Sequence, residues 1–226
     1  MLERTITLGD AAKSTGFAVR PAFVPMNVQE YLTRRGSGLA KVTIGGVLGF
    51  GVKTAASIIE SKARQYLVRP EYILVVLQAE QSLVTDPTVR SADFTVYSLK
   101  ETGDVMPAAR HAGRVYKNTG TDGNRFVEVT GDMRMFKATG AGIPDPNLRP
   151  PWDIRPYLGF ANQVDATARF ARRDFEKWHN GTKLVTLYGG ETVIAGDPET
   201  FALLTYTPSP DVLVNRPKIF KMLGFT

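Results

Sequence analysis

The 226-residue chain has no cysteine, two histidines, two tryptophans and no long uninterrupted apolar run. Without cysteine there is no disulfide framework, no thiolate metal site and no cysteine nucleophile, so stability must come from packing. A membrane-crossing helix needs about 18 or more consecutive apolar residues. The chain therefore reads as a soluble globular protein with no membrane insertion. Residues 1–17 carry Glu3 and Asp10 and no apolar h-region, so no secretory signal is expected. A Walker loop, zinc-ligand spacing and an aromatic-rich ribonucleoprotein motif are all missing. His111 and His179 have no partner at metal or triad spacing and read as surface residues. Neither a metal nor a cofactor is expected, nor a nucleic-acid partner.

What is present suits a domain with a substantial core: 43% of residues are hydrophobic and 22% charged. The formal net charge is +6, with basic residues clustered at Arg34-Arg35, at Arg169-Arg172-Arg173 and near Arg216, Lys218 and Lys221. A basic surface draws polyanions, whether nucleic acid, anionic lipid or cell wall, without choosing among them.

Patterning gives a mostly helical α+β chain. Residues 26–41 read as a short amphipathic segment closed by Gly36, Ser37 and Gly38, followed by a glycine-rich loop. Thr54 suits the N-cap of a helix over 55–67. Pro70 suits the first turn of a second helix running to about Val84, which is apolar nearly all round and so belongs in the core. Residues 94–136 change character and read as a β-containing insertion, a hairpin with its turn at Thr121-Asp122-Gly123-Asn124. Five prolines between 144 and 156 make a stiff extended segment. A strong helix follows over 159–178, with Phe160, Val164, Ala168, Ala171, Phe175 and Trp178 on one stripe and the basic residues largely off it. Asp197 and Pro198 open a last helix that Thr207-Pro208 stops.

One carboxylate breaks the pattern. Positions 73, 76, 77, 80 and 84 follow i, i+3, i+4, i+7 spacing, which places Glu80 on the same face as Ile73, Val76, Leu77 and Val84 and predicts that it is buried. Burial disfavours an ionised carboxyl and raises its proton affinity. Such an acid, bordering a cleft, is what protonating a glycosidic oxygen requires; an ion pair in the core, with Arg90 for example, is the structural alternative. Gln78 and Gln81 flank it. Asn162 and Gln163 open the long helix, and Tyr157 and Tyr206 lie near element ends where sugar rings could stack.

The stretch from Pro70 to Thr85, with Leu77-Gln78-Ala79-Glu80-Gln81 and Leu83-Val84-Thr85, resembles a motif of a lysozyme-like family of bacterial cell-wall proteins, its hemagglutinin-related branch. Further blocks match in order. They are Met26-Asn27-Val28-Gln29-Glu30-Tyr31-Leu32 with Gly36 to Ala40, Lys53-Thr54-Ala55-Ala56 with Ile58-Ile59, Ala138 to Asp145, Tyr157 to Gln163, and Ala202 to Pro208. The resemblance covers roughly 26–214 apart from the insertion. It implies the fold of goose-type lysozymes and lytic transglycosylases: a single lysozyme-like helical domain over 1–226 with a small β-hairpin insertion at 94–136. It further implies that Glu80 is the catalytic acid beside a sugar cleft, that Gln163 is a cleft glutamine and that Tyr206 matches the tyrosine of the last helix; with Gln81, Tyr157 and Asn162, picked out by their positions, these two are the expected substrate-binding residues. The missing cysteines, the insertion and the lack of an export signal depart from the family's secreted members. A bacteriophage lysin, released by a membrane-permeabilising partner or carried on the virion, fits that last departure.

The expected activity is cleavage of the β-1,4 bond between N-acetylmuramic acid and N-acetylglucosamine by a monomer acting on peptidoglycan glycan strands. Either water or the sugar's own 6-hydroxyl would quench the cationic centre. Hydrolysis by inversion wants a second carboxylate about 6.5 to 9.5 Å away, for which Asp86, Asp93 and Asp145 are candidates. A single-glutamate mechanism stays open, and so does a non-catalytic wall-binding or virion module. Nucleic-acid binding through the basic faces is a further rival.

Overall fold

A computed structural model describes residues 4–6, 26–45, 51–98, 116–118, 125–142 and 155–225. The expected turn at 121–124, most of the proline-rich segment, His111 and Asp145 lie outside the described residues. The chain begins with β1 (Arg4–Ile6), α1 (Val28–Arg34), a 3-10 turn (Gly38–Lys41), β2 (Thr43–Ile44), β3 (Lys53–Thr54), α2 (Ala55–Tyr66) and α3 (Pro70–Gln81). Next come β4 (Ala92–Ser98), β5 (Tyr116–Asn118), β6 (Arg125–Gly131), the single-turn α4 (Met133–Phe136) and a 3-10 turn (Arg155–Tyr157). The long α5 (Phe160–His179), β7 (Leu184–Thr186), β8 (Thr192–Ala195), α6 (Pro198–Tyr206) and α7 (Val212–Met222) complete the order. The fold class is α+β, mostly helical.

The chain divides into two compact units. The first comprises residues 1–28, 59–79 and 167–226. Its sheet has the order β1-β8-β7, with β1 parallel to β8 (Thr5 opposite Ile194) and β7 antiparallel to it (Val185 opposite Val193). Tyr72 through Leu77 of α3 are all buried, as an all-round apolar helix requires. Asp197 caps α6, its Oδ1 accepting from the Thr200 amide at 2.7 Å, and Pro198 takes the first turn. Contrary to expectation α6 is not the last helix: α7 follows, with Pro217 inside it. Val212, Arg216 and Phe220, spaced four apart, are buried and form the packing stripe that sustains it.

The second unit comprises residues 29–58 and 80–166. Thr54 caps α2 as expected, its hydroxyl accepting from the Ser57 amide at 3.1 Å. The inserted region forms an antiparallel sheet in the order β4-β6-β5, with Val96 opposite Val127 and Tyr116 opposite Val127 on the other edge. Val129 of β6, Phe136 of α4 and Leu158 form a small core, against which Ala92, Met133 and Tyr157 pack.

Candidate functional site

The site grows from the end of α3. The helix stops at Gln81, three residues short of the expected end at Val84, because Ser82 adopts a left-handed backbone (φ 55°). Leu83 and Val84 are buried, but by a turn and not by the helix face. Ser37 Oγ donates to the Leu83 carbonyl at 3.4 Å, and the Gly38 amide donates to the Asp86 carbonyl at 2.9 Å, fastening that turn.

This ending overturns the prediction for Glu80. It is exposed, not buried. The spacing argument assumed that the buried face continued through the last turn, but Gln78, Ala79 and Gln81 are already only partly covered. Glu80 therefore projects from the open end of a core helix.

Beside that carboxylate runs the loop 137–142. Gly140 has φ 75°, and a methyl group built on it would lie 3.9 Å from Glu80 Oε2 and 3.8 Å from Lys137 Cε. Gly142 has φ 68°, and a methyl there would collide with the Tyr157 ring. The two glycines thus give the loop a left-handed path that L side chains adopt only with strain. The close approach of Tyr157 also ties the Gly-x-Gly block to the block that starts at Tyr157.

The loop is held from beneath by Gln163. Its Nε2 donates to the Ala141 carbonyl at 2.8 Å and to the Tyr157 carbonyl at 2.6 Å. Its Oε1 accepts from the Thr139 amide and the Thr139 hydroxyl, both at 3.2 Å. Thr139 Oγ1 also accepts from the Ala141 amide at 3.3 Å. Gln163 and Thr139 are both 0% exposed. Gln163 was expected to bind substrate; buried and with both amide hydrogens committed to backbone, it holds the loop instead. A glutamine at the fourth residue of a helix was read as facing a cleft because its burial depends on the loop folded over it, which periodicity does not contain.

The other expected residues divide. Gln81 and Tyr157 are half-buried. Asn162 is exposed and donates to the Leu158 carbonyl at 2.9 Å, closing the first turn of α5. Tyr206 belongs to the first unit, half-buried at the end of α6. His179 is exposed, with its ring against Phe175 and Trp178. The structure thus brings Glu80, Gly140, Gly142, Tyr157 and Gln163 into one constellation within the second unit. Thr139 was missed, although the glycine spacing around it was the available signal.

Of the candidate second carboxylates, Asp93 is exposed. Asp86 is committed elsewhere: its Oδ1 accepts from the Thr88 hydroxyl and amide, each at 2.7 Å, and its Oδ2 is paired with Arg134. The Thr88 hydroxyl, then Arg134, hold the Asp86 carboxyl down to about 2. Arg134 also grips Asp132, the cap of α4, at 2.7 Å. Burial pushes Asp132 up, but the hydrogen bonds from Arg134 outweigh it and leave this carboxyl lowered. A carboxylate so tightly paired is a poor base, so Asp86 reads as a brace.

No known protein family, curated protein or solved structure matches the chain. Among the described residues no helix is long and apolar enough to cross a membrane.

Proposed function

We propose that the chain is a lysozyme-like glycosidase that cleaves the β-1,4 bond between N-acetylmuramic acid and N-acetylglucosamine in peptidoglycan, with Glu80 as general acid. The observation that carries this reading is convergence. Three blocks separated by some 60 and 20 residues, around Glu80, Gly140 and Tyr157, meet through one loop: Gly140 lies beside the Glu80 carboxylate, and Gly142 packs on the Tyr157 ring. These are the blocks whose residues resemble the lysozyme-like family. A glycine loop braced from below by a fully hydrogen-bonded glutamine gives an acid a rigid neighbour, which positioning a substrate requires.

The chemistry has to start from an exposed carboxyl. A glycan laid over the loop would shield Glu80 from water and set it against the glycosidic oxygen. Glu80 then passes its proton to the glycosidic oxygen as the bond from C1 breaks. Water, or the muramic 6-hydroxyl, adds to the oxocarbenium-like C1 and returns a proton to the carboxylate. With Asp86 bound to Arg134, a mechanism in which one glutamate serves as acid and then base fits the site better than an inverting pair. The half-buried Tyr157 ring would meet a sugar face, with Gln81 and Asn162 offering polar groups. A phage lysin is the biological setting this reading suits.

The exposure of Glu80 also favours a second reading, a wall-binding module that keeps the loop but does no chemistry. Incubating purified cell walls with wild type and with Glu80→Gln separates the two. Loss of soluble muropeptides with the variant, and not with wild type, supports the enzyme. Equal release from both removes Glu80 from the mechanism, and no release from either, with walls still bound, leaves the binding module. Mass spectrometry of the fragments distinguishes reducing from anhydro muramic ends.

A further inference from the structure

The first unit carries a second feature that the proposed chemistry does not use. Residues 169–183, from α5 into the turn beyond it, hold five cations, Arg169, Arg172, Arg173, Lys177 and Lys183, against two acids, Asp174 and Glu176. That excess of three is half of the chain's +6. Arg169, Arg173 and Lys177 are four apart, which at about 1.5 Å per residue stacks them about 6 Å apart along one helical face. All three are exposed.

Their geometry is fixed by aromatic rings. The guanidinium groups of Arg169 and Arg173 share the Phe170 ring, at 5.4 and 4.7 Å from its centroid. Arg172 lies over Phe175 at 5.7 Å, and Lys183 over Trp178 at 4.8 Å. Asp174, 2% exposed, sits beneath the row, where it accepts from Arg173 Nε at 2.8 Å and stands 3.6 Å from Lys177 Nζ. Arg173 and Lys177 share the single Asp174 carboxylate and Arg172 pairs with Glu176 at 2.7 Å, so the five cations keep a net excess of three, and stacked side chains have already lost part of their rotamer freedom. Both conditions favour an incoming anion.

We infer that this α5 face binds a flexible phosphodiester polymer without bases, such as a polyol-phosphate chain of the bacterial wall. The wall as its source rests on the proposed function; affinity for the polymer does not. Charge complementarity names the phosphates, and the rings argue against a nucleic acid. Phe170, Phe175 and Trp178 are half-buried and covered by cations, which leaves no open platform for base stacking.

The test titrates the full chain into labelled poly(glycerol phosphate) by fluorescence anisotropy at about 0.05 and about 0.2 M NaCl, since counterion release sets the response. For three to four phosphate contacts the affinity should fall roughly 20- to 50-fold across that range. Arg169→Gln with Arg173→Gln should weaken binding about tenfold or more and lower the salt slope by about 1.4. Arg34→Gln with Arg35→Gln removes the same charge from exposed positions at the end of α1 and in the turn after it, and should leave binding near wild type, both variants being checked by thermal melting. Equal losses from the two double variants, or no binding at the lower salt, overturn the proposal. Tighter binding to duplex or single-stranded DNA than to the polymer at the higher salt overturns it in favour of nucleic acid. Glu80→Gln should bind the polymer like wild type. If wild type binds polymer through this face yet releases no muropeptides, the glycosidase reading fails and the polymer site stands.

Discussion

Helices α3 and α5 are opposites in pattern, and each reverses the expectation for its polar residue. α3 is apolar on every side, yet its glutamate, assigned to the buried face, stands in solvent. α5 is strongly two-faced, yet its glutamine, assigned to a cleft, is 0% exposed. In both cases the error falls within one turn of a helix end. Mid-helix residues have helical neighbours that periodicity describes, whereas an end residue is covered or bared by the loop that follows or precedes it.

The sharpest way to break this contrast is Gln163→Ala. It strands the Thr139 amide and the Ala141 and Tyr157 carbonyls in a dry site, and should cost about 3–5 kcal/mol in urea unfolding. A loss under about 1 kcal/mol would mean that water reaches those groups and that the loop is not braced as described. Gly142→Ala should come next, at about 2–3 kcal/mol, since it combines a left-handed backbone with a collision against Tyr157. Gly140→Ala meets only ordinary contacts and should cost about 1–2 kcal/mol, from backbone strain alone. If the two glycine variants proved equally costly, the packing of Tyr157 on the loop would be irrelevant.

Smaller effects test the carboxylates. Asp86 is lowered in the fold from 3.8 to about 2, so its pairing stabilises the protein above pH 4 and that contribution is lost as pH falls through about 2. Asp86→Asn should therefore flatten the acid limb of a stability-against-pH curve measured between those values. Glu199 has the opposite sign: burial, with Asp197 nearby, raises it. Its stabilising effect is present at low pH and declines as pH rises past its unfolded value, so Glu199→Gln should raise the melting temperature at neutral pH and lose that advantage in acid. The smallest effect is expected at Glu80. An exposed side chain replaced by Gln should leave stability within about 0.5 kcal/mol of wild type, which makes any loss of wall cleavage a chemical and not a folding defect.

Much of the framework was legible. Thr54 and Asp197 announced their helices because a cap is a local bargain between one side chain and the next three amides. The Tyr72 to Leu77 run announced a core helix, and the change of character over 94–136 announced the β-containing region. Gly140 and Gly142 stood inside the Ala138 to Asp145 block, but that their left-handed path borders Glu80 and Tyr157 shows only in the fold. α7 was not read from the sequence: what sustains it is the burial of Val212, Arg216 and Phe220, which depends on packing and not on local signals.

The sequence by itself determined most of the helical segments, α7 excepted, which faces are apolar over their central turns, and which chemistry-bearing residues exist. Only tertiary structure decided that Glu80 would be open, that Gln163 would be sealed under a loop, and that Asp86 would be held by Arg134 from 48 residues away. The reason is one of range. Propensity, capping and periodicity act within a turn or two of the chain, while the exposure and pairing of a polar group depend on whichever distant segment packs against it.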